Sequence, residues 1–396
     1  MTNTRRPRVY LHIGAAKTGT SYLQAVLWAN RERLRAGGTL YPGLSSDAHF
    51  RAATDLLGQH YQEHVDPLAV GAWERLVGQA RVWSGTGSGA VVMSHELFGL
   101  AEEAAVRRAA ADLNWAEIHL VYTARDLARQ IPAAWQEDVK NRQVLSFAEF
   151  VADLRAAEPE HFLAKLFWRL QDAPGVLGGW VAAAGVPPER VHLITLPPRG
   201  APPDELWRRF SRVIGIAPDG CDTEVGVEAN RSMGVAETNL VRRLNLEVAD
   251  RLDWPSYDVL VKDYLAVQVL GGRDAAGPLR LPSGEYDWVR ARAARLVEAL
   301  GGTGYRVVGD LAELLPAAPS GPSTHPDQVA EAQVLDAAVG ALAGLLDRVR
   351  ASAQPARPGW RRTALALSER NPGIRRLHHH YLSAKARLAD QRRHFR

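Results

Sequence analysis

The chain has 396 residues, 46% of them apolar, with 48 Lys+Arg against 44 Asp+Glu and one cysteine. That length and apolar content supply a large core and exclude wholesale disorder. The lone Cys221 excludes a disulfide framework and a cysteine-based zinc site.

The net charge of +4 is unevenly spread. Residues 355–396 hold 11 basic and two acidic side chains, a charge of +9, which leaves −5 on residues 1–354. Lysine is rare: Lys17, Lys140, Lys165, Lys262 and Lys385 are the only five, and the other basic residues are arginine. No apolar run approaches the roughly 20 residues of a membrane span, and the N-terminus has no apolar core of signal-peptide type. The expectation is a soluble, cytoplasmic protein.

In chain order, Val9–Ile13 is a short β-rich run bounded by Gly14 and predicts a buried strand. Leu23, Val26, Leu27, Asn30 and Leu34 follow at helical spacing and predict one helix, stopped by Gly37-Gly38. Further strands are predicted at Ala90–Ser94, Ile118–Thr123 and Arg190–Leu196, with helical segments between them. Strands alternating with helices give an α/β fold whose parallel sheet is covered on both faces. Beyond about residue 200 the pattern is mostly helical, with a late strand at Tyr305–Gly309. Residues 1–316 read as one α/β domain, 317–328 as a Pro-rich linker, and 329–396 as a helical C-terminal extension ending in the basic tail. In that tail Ile374, Leu377, Tyr381 and Leu388 form an apolar stripe among arginines, a pattern that fits an anionic membrane surface or a polyanion. The acidic body argues against nucleic-acid binding as the main function.

The most informative segment joins the first strand to the first helix: Gly14-Ala15-Ala16-Lys17-Thr18-Gly19-Thr20-Ser21. Two glycines five apart, with Thr20 and Ser21 opening a helix, suit a loop that wraps an anionic oxygen cluster at a helix N-terminus. The nucleotide-triphosphatase pattern G-x-x-x-x-G-K-[ST] is met by Gly14 and Gly19 only, because Thr20 stands where Lys is required and Lys17 lies inside the loop. A compact ammonium there suits point-charge stabilisation of a phosphate or a sulfuryl leaving group.

The strand, Lys17-Thr18-Gly19-Thr20-Ser21 and the helix after it resemble the 5′-phosphosulfate loop of the sulfotransferases that use 3′-phosphoadenosine 5′-phosphosulfate (PAPS). The body is similar in layout to bacterial, carbohydrate-type members. The resemblance implies a three-layer, P-loop NTPase-like fold and PAPS as cosubstrate, with no metal. It also implies that Ala16, Lys17, Thr18, Gly19, Thr20 and Ser21 hold the 5′-phosphosulfate. The acceptor implied is a hydroxyl of a glycan, lipid or small metabolite. The family's second signature, an Arg followed eight residues on by a Ser, implies a 3′-phosphate role for Arg125, at the end of the strand Ile118–Thr123. Position 133 is Ala instead of Ser, leaving Arg129 or Gln130 as the substitute.

Sulfuryl transfer to a hydroxyl needs a base, and a carboxylate base needs a raised pKa. Ser94-His95-Glu96, at the end of the strand Ala90–Ser94, supplies two candidates, of which Glu96 is preferred over His95 because Ser-x-Glu resembles the carbohydrate-type enzymes. Weaker candidates are His49 for the acceptor pocket, Asn230-Arg231-Ser232 for the nucleotide, and Trp135 and Gln136 facing the acceptor. His378-His379-His380 point in different directions on a helix and do not make a single metal site. Two rival functions remain: a kinase-like phosphoryl transferase, and a degenerate nucleotide-binding module whose tail recruits a partner.

Overall fold

A computed structural model describes residues 6–58, 66–85, 89–226, 232–248, 251–273, 277–318 and 325–353. The chain forms two compact units, Met1–Ala341 and Leu342–Arg396. Among the described residues, β1 (Arg8–His12), β2 (Thr39–Leu40), β3 (Ala90–Ser94), β4 (Glu117–Ala124), β5 (Val191–Thr195) and β6 (Arg306–Val308) build one sheet. Its order is β2-β3-β1-β4-β5-β6 and every pairing is parallel. The five runs predicted as strands all lie in it, and only the two-residue β2 was too short to be read.

Side chains alternate across a strand, so each buried run serves two cores. Val9, Leu11, Met93, Leu120 and Tyr122 face one side, where they meet Trp73, Phe98 and Trp180. Tyr10, Val92, Val121 and Ile194 face the other, against Leu23, Leu27, Trp207 and Phe210. This double coverage is the α/β arrangement the pattern predicts.

Between β1 and β2 run α1 (Thr20–Ala29) and α2 (Arg31–Ala36). Between β2 and β3 lie α3 (Ala48–Leu57) and α4 (Ala72–Ser84), and between β3 and β4 lies α5 (Glu103–Asp112). The β4–β5 connection carries α6 (Leu127–Lys140), α7 (Phe147–Arg155), α8 (Phe162–Gln171) and α9 (Ala173–Ala184). After β5 come α10 (Glu205–Ile214), α11 (Val235–Val248), α12 (Trp254–Tyr257), a π-helix (Asp258–Val269) and α13 (Tyr286–Gly301). After β6 comes α14 (Glu331–Ala353).

The single helix expected after β1 is two. Asn30 interrupts it: its side-chain amide donates to Val26 O at 2.8 Å and to Asp222 O at 2.9 Å, and its Oδ1 accepts from Asp222 N. Helical spacing continues through Leu34, so periodicity alone misses a break made by a side chain competing for backbone groups. A third core sits among the helices, with Trp135, Phe147, Phe150, Phe167 and Tyr257 buried together. Trp135 is therefore core and does not face an acceptor; its indole donates to Leu145 O at 2.9 Å. The end of the Pro-rich segment is bonded to helices within the first unit: Asp327 accepts from the first two N–H groups of α7, and Pro326 O accepts from Asn239 of α11. The basic tail, His378–His380, Asn230 and Arg231 lie outside the described residues. Among the described residues no helix is long and apolar enough to cross a membrane.

Candidate active site

Because β3, β1 and β4 are neighbours and parallel, the loops leaving their C-terminal ends meet at one edge of the sheet, where open α/β sheets bind ligands. The β1 loop brings Lys17, the β3 loop brings His95 and Glu96, and the end of β4 brings Arg125. The β1 turn is built on unusual backbone. Gly14 has φ 139° and Gly19 φ 82°, and a Cβ on Gly19 would overlap the Leu206 side chain. Lys17 itself sits at φ 61°, a left-handed conformation that side chains rarely adopt. The first N–H groups of α1 have no intrahelical acceptor, and its N-cap Gly19 offers no side chain to them.

The loop is held from below and from both sides. Thr18 Oγ1 donates to Ala15 O and shares a hydrogen bond with Thr123 Oγ1, both at 2.5 Å. The carbonyl of Ala16 accepts from Gln130 of α6 and Gln171 of α8. Two expectations change here. Thr18 is buried under the loop as a fastener to β4, and Gln130 is spent on Ala16, so it does not replace the missing Ser.

Two adjoining cavities, each of about 900 Å³, open at this edge. The first is lined by Ala16, Lys17, Gly19, Thr20 and Ser21, with His95 and Glu96 beside them. The second is arginine-rich: Arg125, Arg129, Arg199, Arg273 and Arg280 line it. Its two acids are already engaged, Asp126 by Arg129 and Glu313 by Arg209. Arg125, Ala133, Gln136 and Ser232 form the wall common to both cavities. Arg125 donates one hydrogen bond, to Arg129 O at 2.7 Å, and its buried Nε meets no acceptor among the described residues. Burial, with Arg129 and Arg199 nearby, pushes its pKa down to about 10. Such a cation is stabilised by an incoming anion. Arg129 is the more committed of the two: Asp126, the N-cap of α6, accepts from its backbone N–H and pairs with its guanidinium. Gln136 donates to Met233 O and Thr238 Oγ1, tying α6 to the start of α11.

Three of the five lysines gather at one carboxylate. Glu137 Oε2 accepts from Lys17 at 2.9 Å and pairs with Lys140 at 2.6 Å. Burial alone would raise the Glu137 carboxyl, but Lys17 and Lys140, with Lys262 further off, hold it far below the usual range. The next residue goes the other way: burial and the Glu137 charge push Asp138 well above it.

The two expected bases are less free than the sequence implies. His95 caps the short helix after β3, its Nδ1 accepting from Leu97 N at 3.2 Å. In the neutral ring that bond puts the proton on Nε2 and leaves neither nitrogen an open lone pair; burial lowers the imidazole pKa, and the Glu96 charge beside it opposes that shift by favouring the imidazolium. Burial would raise Glu96, yet His95 and the hydrogen bonds from Gln24 and Thr20 outweigh it and hold the carboxyl below its ordinary value. The expected upward shift at Glu96 is therefore corrected to a downward one. His49 is neither pocket-lining nor at the surface. It is buried behind β3, accepts from Ser94 N, donates to Pro42 O and stacks on Tyr41.

Sequence reasoning missed Glu137, Asp138 and the arginines at 199, 273 and 280. The lysine count was the available signal, since it singles out Lys140 and Lys262 as well as Lys17. Among the described residues no group of His, Cys, Asp and Glu side chains could hold a metal ion.

No family model matches the chain, and comparison with curated proteins returns no match. Among solved structures, the crystal structure of a sulfotransferase from Alicyclobacillus acidocaldarius is similar over 64% of this chain and 98% of that chain, at 19% identity and a TM-score of 0.35. A likeness this loose fixes neither fold nor activity.

Proposed function

We propose that this chain is a sulfotransferase that takes PAPS across the two adjoining cavities and passes its sulfuryl group to a hydroxyl. One observation carries the reading: Arg125, with a buried nitrogen lacking a partner, stands in the wall between a cavity holding the Lys17 loop and a cavity lined by arginines. A nucleotide with anionic groups at both its 3′ and 5′ positions matches that division.

In this reading the N–H groups at the start of α1, with Thr20 and Ser21, hold the 5′-phosphate. Lys17 neutralises the charge that develops on the bridging oxygen. Arg125 meets the 3′-phosphate, with Arg129 fixing its surroundings. Ser232, which lines both cavities as Ala133 does, supplies in this reading the hydroxyl that position 133 lacks. Such transfers pass through a loose, in-line transition state, so positioning and fixed charge do most of the work.

Calorimetric titration with adenosine 3′,5′-bisphosphate and with ATP tests the proposal. Binding of the bisphosphate without Mg²⁺, tighter than that of ATP, is expected. Binding of ATP with Mg²⁺ and none of the bisphosphate would overturn it in favour of phosphoryl transfer.

A further inference from the structure

The cavity around the Lys17 loop has a lining of two unlike kinds. Part of it is polar, with Lys17, Glu96 and Glu137. Part is walled by α8, where Leu163, Leu166, Phe167 and Leu170 recur at i, i+3, i+4 and i+7 and line it together. Phe50 and Trp254 add to its apolar lining. None of the four α8 side chains can donate or accept a hydrogen bond. A saccharide carries a hydroxyl on almost every carbon, and each would lose its water against this wall without a replacement. An aryl or alkyl group loses nothing there and gains from leaving water.

Asp138, on α6 next to Glu137, shares this cavity with the α8 stripe. It lines the cavity, yet among the described residues its carboxyl has no hydrogen bond and no ion pair. Glu96 is taken by Gln24 and Glu137 by two lysines. The charged groups acting on Asp138 are Glu137 on its own helix and Lys17 of the loop, while Asp258, Lys262 and Asp263 of the π-helix line the same cavity.

We propose that the α8 side of this cavity is the acceptor subsite, that it takes a hydroxyl carried on an aryl or alkyl body, and that the Asp138 carboxylate receives the hydroxyl proton. The inference rests on the sulfuryl-transfer reading. The acceptor O–H bond breaks and its proton passes to Asp138, while the oxygen forms a bond to sulfur. The bond from sulfur to the bridging oxygen breaks, and its electron pair stays with the 5′-phosphate. The upward push on Asp138 from burial suits a proton acceptor working near neutral pH.

The test uses the full chain, with naphthol and methyl glucoside as probe acceptors. Naphthol is expected to bind in calorimetry beside adenosine 3′,5′-bisphosphate and to accept label from sulfur-labelled PAPS, with methyl glucoside doing neither. Leu166→Glu should weaken naphthol binding by about tenfold or more with the bisphosphate titration unchanged, a shift set by one buried charge. Leu170→Glu repeats this at a second half-buried position of the stripe. Asp138→Asn should bind both ligands, lose about 100-fold in kcat, and lose the acid limb of the pH profile, with Asp138→Glu restoring part of it. Transfer to methyl glucoside in preference to naphthol, naphthol binding untouched by both stripe variants, or an unchanged pH profile in Asp138→Asn each overturns the inference while the nucleotide reading stands. Failure of the bisphosphate to bind the unaltered chain takes down both.

Discussion

The Lys17 ammonium donates to Glu137 Oε2 at 2.9 Å, joining the β1 loop to α6 across 120 positions of sequence. Lys140 meets the same oxygen at 2.6 Å, so the carboxylate has two cations and each cation has this one carboxylate in common. Removing Lys17 leaves Glu137 still paired. Removing Glu137 leaves two half-buried ammonium groups facing each other, and loss of one member of a buried pair is the costlier change. Lys17→Ala is therefore expected to cost less than about 1 kcal/mol of stability. Glu137→Ala is expected to cost about 2 kcal/mol, discounted for its partial exposure. Urea unfolding followed by circular dichroism measures both. Turnover should sort differently, with Lys17→Ala abolishing it even though the fold is kept. A Lys17→Ala protein that unfolds as easily as Glu137→Ala would show the pair to be structural first.

Arg125 gives a selectivity prediction. The nucleotide reading assigns it the 3′-phosphate, so the unaltered chain should prefer adenosine 3′,5′-bisphosphate over adenosine 5′-monophosphate. Arg125→Ala should erase that preference by weakening the bisphosphate about 30-fold, as expected for a charge-assisted bond, while the monophosphate loses little. Arg129→Ala should act on both nucleotides alike, because Arg129 works through Asp126 and the start of α6. Parallel titrations of the two nucleotides decide it. Equal losses for both ligands in Arg125→Ala would remove the 3′-phosphate assignment.

Much of this was legible in the residues. The strand runs at 9–13, 90–94, 118–123, 190–196 and 305–309 are short, β-rich and bounded by turn formers, so local pattern suffices to place β1, β3, β4, β5 and β6. The Lys17 loop was legible because its chemistry is contiguous. What the pattern could not give was anything made by residues far apart. Asn30 breaks its helix through Asp222, and Glu137 gathers Lys17 from another element. The direction of the shift at Glu96 was only partly open to pattern reading. Burial was foreseen and its largest opponent is the adjacent His95, but Gln24 and Thr20 reach the carboxyl only through the fold of α1 against the β3 loop.

His12 makes acid sensitivity predictable. It is fully buried, sharing hydrogen bonds with Ser94 Oγ at 2.8 Å and Thr123 Oγ1 at 3.3 Å, and burial lowers its pKa from 6.5 to about 4. Between those values the unfolded chain binds a proton that the folded chain refuses, so stability falls as pH drops through that window. The loss by the lower end is on the order of 3 kcal/mol from this group alone. His49, lowered by burial to about 3, acts in the same direction. His12→Asn should be less stable near neutrality yet flatter with pH. Urea midpoints at about pH 7.5 and about pH 5 measure the slope. A variant slope equal to that of the unaltered chain would mean that His12 takes up its proton without unfolding.

Glu96 separates wall from chemistry. Its Oε2 accepts from Gln24 at 3.1 Å and its carboxyl also meets Thr20, so it braces α1, whose N-terminus opens the phosphate-binding turn. Its lowered pKa makes it a poorer proton acceptor than a carboxylate raised by burial. Glu96→Gln keeps an acceptor for Gln24 on the same frame, while its amide matches Thr20 less well. Turnover should therefore fall by less than about tenfold, with a pH profile like that of the unaltered chain. Glu96→Ala removes the brace and should raise the KM for PAPS more than it lowers kcat. Single-turnover assays on Glu96→Gln beside Asp138→Asn decide between the carboxylates. If the Glu96 variant loses the acid limb and Asp138→Asn keeps it, the proton goes to Glu96 and the β3 loop is the catalytic one.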